Sequence, residues 1–116
     1  MNAEKQFEQQ LKAFCREFRR ALPKRIAEIE CLCAECDRAP VPPDRIRELK
    51  RALHSIAGSA RTFGVAGVGE AARAAEQALN GKLNERGDIP LEAVRESLRI
   101  MREHARQTTR KPRVIA

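Results

Sequence analysis

Residues 44–64 read DRIRELKRALHSIAGSARTFG, and this stretch carries the clearest helical pattern in the chain. Its apolar residues recur at steps of three and four, which places them on one side of an α-helix with the charged residues on the other. Asp44 is a residue type that caps helix N-termini, and Gly64 suits the left-handed position just after a helix C-terminus. The stretch therefore predicts one amphipathic helix between these two residues. Its apolar stripe consists of Ile46, Leu49, Leu53, Ile56, Ala60 and Phe63.

The same periodicity marks further helices on both sides of this stretch. Residues 3–22 carry one apolar stripe, and Pro23 either starts a second helix that ends near Asp37 or kinks the first one. Three prolines within residues 39–44 predict a connector. Downstream, the pattern predicts two more helices, over about 66–79 and 91–105.

The composition excludes several classes of protein. The chain has 116 residues, of which 42% are hydrophobic and only 3% aromatic, and Ala, Leu and Ile beside many Glu, Arg and Lys are typical of a helical protein. No apolar run approaches the roughly 20 residues that span a membrane. The N-terminus lacks the apolar core of a secretory signal, so we expect a cytoplasmic protein whose four cysteines are reduced.

These segments predict an all-α fold, an antiparallel four-helix bundle with an additional N-terminal helix or a kinked helical extension. Residues 1–109 are expected to form this bundle, with its most informative segment at 44–80. Residues 110–116 are expected to be a basic, disordered tail.

His54 lies on the charged side of the helix predicted over residues 44–64. At about 100° per residue, four cations fall within about 60° of it: Arg47, Lys50, Arg51 and Arg61. Gly58 follows one turn later, and because glycine costs up to about 1 kcal/mol in a helix, we interpret it as clearing space beside the imidazole. A neutral imidazole is a nitrogen nucleophile, and positive surroundings attract an anionic phosphoryl group. Taken alone, these residues are more typical of an ordinary surface histidine among solvated cations.

A resemblance favours the reactive interpretation. The strings LHSIAGSARTFG at residues 53–64 and VAGVGEAARAAEQAL at residues 65–79 resemble the signature of histidine-containing phosphotransfer (HPt) domains. That signature combines a histidine, an aliphatic residue, a glycine one turn later, small residues, and then Leu or Phe before Gly or Ala. The matching positions here are His54, Ile56, Gly58, Ser59, Ala60, Phe63 and Gly64.

The resemblance implies a phosphoryl carrier of a bacterial two-component phosphorelay rather than an enzyme. It implies that Nε2 of His54 is phosphorylated, and that Glu76 on the next helix accepts a hydrogen bond from Nδ1–H and so orients the ring. The alternative for Glu76 is a plain surface residue. The implied partners are a response-regulator receiver domain and a hybrid sensor histidine kinase. No cofactor is implied, because the receiver brings its own Mg²⁺.

One position departs from the family pattern, because Ala57 stands where members usually have a lysine near the phosphoryl group. The transfer rate and the phosphohistidine lifetime are therefore left open. We hypothesise that Arg61, Arg51 or Lys50 supplies the missing charge. A docking face for an acidic partner is expected around His54. Its candidate residues are Lys50, Arg51, Ala57, Gly58, Arg61, Val65 and Arg73.

Two other functions compete with this interpretation. The first alternative is an adaptor, a degenerate HPt-like bundle that binds a receiver or a kinase without carrying phosphate. A nucleic-acid-binding protein is suggested by the net charge of +7. Interleaved glutamates and the lack of an aromatic stacking platform disfavour that second alternative.

We expect structural roles for the cysteines of the first helical region and for the second histidine. Cys33 and Cys36 share the apolar stripe of their helix while Cys31 points elsewhere, so we interpret them as buried hydrophobic residues and expect no metal site. His104 lies beside the apolar stripe of the last helix and clusters with no other candidate residue.

Overall fold

Four α-helices make up the computed structural model of the protein, which describes residues 2–38, 42–81 and 90–109. No strand occurs in these ranges, so the prediction of an all-α bundle is confirmed. The predicted tail over residues 110–116 lies outside the described residues, and the domain limits stay a prediction. The helices are α1 (Ala3–Cys36), α2 (Pro43–Thr62), α3 (Ala66–Asn80) and α4 (Leu91–Thr109).

Each helix packs against two neighbours, in the closed order α1, α2, α3, α4. The apolar stripes of all four helices meet in one hydrophobic core. Each helix is apolar on one side only, and none of those in the described ranges is long and apolar enough to cross a membrane. The largest fully buried side chains are Leu22, Ile26, Leu49, Leu53, Ile56, Met101, Val68, Val94 and Cys36.

Helix α1 runs without interruption through Pro23, so the alternative of a separate helix from Pro23 to Asp37 is wrong. Proline lacks the N–H that would bond to the carbonyl of Arg19, four residues earlier. Pro23 is exposed, so its ring lies on the solvent side of α1 and not in the core. The neighbouring Leu22 and Ile26 are fully buried, which holds both parts of α1 on the same bundle.

The two ends of α2 differ in how well the sequence predicts them. Gly64 has a φ of +79°, and the N–H of Val65 donates to the carbonyl of Ala60 at 2.8 Å, which confirms the glycine-terminated end. Asp44, in contrast, is not the N-cap. The helix begins one residue earlier, at Pro43, because the fixed φ of proline suits the first helical position. Asp44 lies in the first turn, where its negative charge interacts favourably with the positive end of the helix dipole.

Helix α1 is longer than its antiparallel neighbour α2. The rings of Phe18 and Phe63 lie 5.4 Å apart between centroids, and Arg45 forms an ion pair with Glu35. In both pairs the two residue numbers add to about 80, so residue n of α2 lies level with about residue 80 − n of α1. The C-terminal end of α2 therefore lies level with Phe18. Residues 3–16 of α1 therefore extend past the bundle by about 21 Å, at 1.5 Å per residue. We call these residues the overhang.

All four cysteines are free thiols. Cys33 and Cys36 are buried in the core, which confirms their interpretation as small hydrophobic residues, and Cys31 is exposed. Burial raises the pKa of the Cys33 and Cys36 thiols, so both are held in the unreactive protonated form. Among the described residues, no group of His, Cys, Asp or Glu side chains is placed to hold a metal ion.

Candidate functional site

His54 and Glu76 face each other across the seam between α2 and α3. The Nδ1 atom of His54 lies 2.6 Å from Oε2 of Glu76. A carboxylate offers only acceptor oxygens, so the ring donates Nδ1–H, and the lone pair of the neutral imidazole is left on Nε2. The side chain of His54 is 79% exposed and that of Glu76 is 20% exposed. The site therefore presents an oriented ring nitrogen to the solvent.

The close approach of α2 and α3 sets the distance between these two residues. A Cβ atom on Gly69 would lie 3.2 Å from the carbonyl oxygen of Ala57 and 3.4 Å from the Cβ of Ala60. The missing side chain at Gly69 is thus what lets the two backbones come together. Gly69 lies two turns before Glu76 on the same side of α3. The packing there consequently places the carboxylate within reach of His54.

Gly58 and Gly67 differ in what surrounds them. A Cβ atom on Gly58, one turn after His54, would meet no atom within 4 Å. Packing does not explain that glycine, and its missing side chain leaves the solvent side of the imidazole unobstructed. A Cβ atom on Gly67 would instead lie 2.5 Å from Nδ1 of His104. Gly67 therefore makes room for the second histidine, which packs against α3.

An open groove of about 510 Å³ runs along the α2–α3 seam beside His54. It brings together most of the residues that the sequence singled out, and it adds three that sequence reasoning missed. The residues singled out from the sequence are His54, Ala57, Gly58, Arg61, Arg73 and Glu76. The additional residues are Ala66, Gly69 and Glu70.

The pairing of His54 with Glu76 also sets the register of α2 against α3. Their residue numbers add to 130, so in this antiparallel pair residue n of α2 lies level with residue 130 − n of α3. A Cβ atom on Gly69 would lie 3.5 Å from the amide nitrogen of Arg61, which agrees with this register. Arg73 on α3 consequently lies level with Ala57. Once His54 is paired with Glu76, the same rule places Gly69 level with Arg61 of α2. This is how Gly69 could have been identified from the sequence.

The cations predicted to surround His54 lie on two different surfaces. Arg61 and Arg73 line the groove, and neither forms an ion pair with a described residue. Arg51 lines a separate groove between α1 and α2, and Lys50 is half-buried and does not line the groove of His54. Val65 is only 3% exposed, so its expected place on the docking face is wrong. Its burial follows from its position at the tight turn after α2.

Comparison with known proteins gives one family. A model of the Hpt domain matches residues 6–108, which is most of the chain. The matched range contains His54, Glu76 and every residue of the groove. No curated protein and no solved structure matches the chain.

Alanine substitutions at two glycines of the site should change stability in opposite directions. Gly58→Ala should raise the free energy of unfolding by about 0.5–1 kcal/mol, because the methyl group meets open space and alanine is the better helix former. Gly69→Ala should lower it by about 1 kcal/mol, because its methyl group crowds the carbonyl of Ala57. Urea unfolding followed by circular dichroism measures both changes. Equal effects would contradict the close helix contact at Gly69.

Proposed function

The chain belongs to the Hpt domain family, whose members carry phosphoryl groups in phosphorelays, and on that basis we propose that His54 is its phosphorylated residue. The ring would receive the group from the aspartyl phosphate of a receiver domain, or from a histidine kinase, and pass it to a second receiver. The observation that carries the proposal is the exposed imidazole held by a carboxylate at 2.6 Å, because this leaves Nε2 as the free nucleophile.

Transfer to His54 is a substitution at phosphorus. The lone pair of Nε2 attacks the phosphorus of the acyl phosphate, the bond from phosphorus to the aspartate oxygen breaks, and the aspartate leaves as a carboxylate with that electron pair. Nδ1–H stays on the ring, and Glu76 stabilises the positive charge that the ring acquires. Onward transfer is the reverse, with the aspartate of the second receiver as nucleophile. Such reactions depend mostly on positioning and charge neutralisation, so a carrier needs few groups of its own.

Arg73 and Arg61 are the cations that we assign to the phosphoryl group. Both line the groove beside His54, and Arg73 lies level with Ala57, whose small side chain leaves room for a guanidinium. A guanidinium binds phosphate oxygens through two parallel N–H donors, which suits it to this task. Arg51 lies in the other groove and is expected to contribute less.

The proposed partners are the receiver domain of a response regulator and a hybrid sensor histidine kinase. Arg61 and Arg73, which form no ion pair with a described residue, suit the acidic pocket of a receiver, and the encounter should be fast and sensitive to salt. The receiver would supply Mg²⁺, and we assign no cofactor to this chain. Four free cysteines fit a reducing compartment, so we place the relay in the bacterial cytoplasm.

Nucleic-acid binding is less well supported, because the arginines at the exposed surface of α4 are largely paired. A cation that is already paired with a carboxylate attracts a nucleic-acid phosphate less strongly. The positive charge of the chain is thus partly neutralised along this helix. The ion pairs are Arg95–Asp37, Arg95–Glu92, Arg99–Glu96 and Arg102–Glu30.

A panel of receivers carrying radiolabelled aspartyl phosphate tests the proposal. The wild-type chain should take up label that is acid-labile and base-stable, as phosphohistidine is, and His54→Gln should take up none. A chain that binds receivers without taking label would be an adaptor, and that result would contradict the proposal.

Gly58→Gln provides the control for access to the ring. The new side chain extends into open space, so the fold should keep at least wild-type stability. The same side chain would lie one turn from His54, and it should slow label transfer by crowding the receiver's approach.

Glu76→Ala should slow label transfer by roughly tenfold to a hundredfold, because a hydrogen bond to a charged group contributes about 1.5–3 kcal/mol. Glu76→Gln keeps an acceptor oxygen and should transfer at an intermediate rate. Single-turnover kinetics with one receiver measures both variants. Wild-type rates in Glu76→Ala would remove the orienting role of this carboxylate.

Arg73→Ala should slow label transfer by about tenfold, whereas Arg51→Ala should change it by less than about twofold, because only Arg73 lines the groove of His54. The rate of label transfer to Arg61→Ala should lie between the rates of these two variants. Adding Ala57→Lys to Arg73→Ala should restore part of the rate, since it returns a cation at the same level of the seam. Equal losses in Arg73→Ala and Arg51→Ala would overturn the assignment.

A further inference from the structure

The overhang of α1 exposes a stripe of large apolar side chains. Phe7, Leu11 and Phe14 are 66%, 39% and 55% exposed. They recur at steps of four and three, and they continue, on the same side of α1, the stripe that is buried from Phe18 onward. A row of adjacent apolar side chains at the surface, unlike a single one, marks a site of interaction.

A receiver centred on His54 would reach Phe14 at most and would leave Leu11 and Phe7 uncovered. His54 lies level with about residue 26 of α1, by the register of α1 against α2. Leu11 is 15 residues further along α1, which is about 22 Å at 1.5 Å per residue. A domain of roughly 120 residues has a radius of about 17 Å. A receiver centred on His54 would therefore end short of the middle of the overhang.

We propose that the overhang is the interface between two copies of this chain, packed antiparallel about a two-fold axis near Leu11. In that arrangement Phe7 of each copy lies opposite the partner's Phe14, and the two Leu11 side chains meet at the axis. Helices with apolar residues at steps of three and four bury them in this way, knobs into holes. A two-fold interface is closed, so the assembly stops at two copies.

The charges beside the stripe complement each other in the same arrangement. Glu4 and Arg19 flank one side of the stripe near its opposite ends, so antiparallel packing brings Glu4 within one turn of the partner's Arg19, twice by symmetry. The Nε atom of Arg19 is buried and has no hydrogen-bond partner in the part of the chain that the structure describes. Its Nη2 atom lies at the end of the bundle, 3.9 Å from where a Cβ of Gly64 would be. A carboxylate arriving from a second copy would accept a hydrogen bond from the Nη groups of this guanidinium, whereas the buried Nε lies out of its reach.

The proposed interface is small. Two helices that pack over about 21 Å bury less than the roughly 1,200 Å² of a standard interface. The dimer should therefore dissociate in the micromolar range, and its population should depend on protein concentration. Because the groove of His54 lies outside the overhang, both copies would keep it open.

Sedimentation velocity of the full chain, from low micromolar to millimolar concentration, tests the proposal without any phosphate chemistry. The sedimenting mass should rise from one copy to two. Leu11→Glu and Phe14→Glu should each weaken the dimer at least tenfold and leave the circular dichroism of the monomer unchanged, because both residues are exposed in it. Gln9→Glu adds the same charge on the opposite side of the overhang, and it should dimerise as the wild type does.

Three results would contradict the proposed dimer. The first is a chain that stays monomeric at every concentration, and the second is an equal loss of dimer in Gln9→Glu and Leu11→Glu. The third is slower label transfer from a receiver to Leu11→Glu, since this would assign the stripe to the receiver. A failure of His54 to take label would leave the mass measurement intact, so the two proposals fail separately.

Discussion

The contact between Gly69 and the backbone of α2 holds α2 and α3 close enough for a side chain of one helix to orient a side chain of the other. A Cβ atom at this position would stand only 3.2 Å from the carbonyl oxygen of Ala57. The contact sets spacing and register together, because His54 then meets Glu76 at 2.6 Å and Arg73 comes level with Ala57. The site is thus a property of the helix pair. The other two helices contribute by burying the apolar sides of α2 and α3.

The helices and the two facing residues could be predicted because each follows from a pattern along one helix or from a local motif. The continuity of α1 could not, since at Pro23 local preference and packing oppose each other. Proline inside a helix costs about 3 kcal/mol. Burial of a large aliphatic side chain contributes about 1.5–3 kcal/mol, and both Leu22 and Ile26 are fully buried around Pro23. Packing on the two sides outweighs the lost hydrogen bond, and a single helix results.

The arrangement of the cations shows a second limit of prediction from one helix. An angle around α2 places Arg51 and Arg61 on the same polar side as His54, but it does not say which neighbouring helix each one approaches. In the bundle Arg51 turns to the groove beside α1, and Arg61 turns to the groove beside α3. Arg73 joins the site from another helix, so no pattern within α2 could have included it. Assigning a charge to a site requires the register between helices.

If His54 is phosphorylated as proposed, its exposure helps a receiver to reach the phosphohistidine but shortens the lifetime of the phosphohistidine in water. With 79% of the side chain open to solvent, water would reach a phosphoryl group on this ring as easily as a receiver would. A wall around the ring would exclude water, but it would exclude the receiver too. Under the proposed function, Arg61 and Arg73 in this open groove would serve both needs, because they would hold phosphate oxygens at close range and attract an acidic partner from a distance. The outcome would then depend on how fast a receiver arrives, and that rate would rise with the positive charge of Arg61 and Arg73 and fall with the negative charge of Glu70 in the same groove.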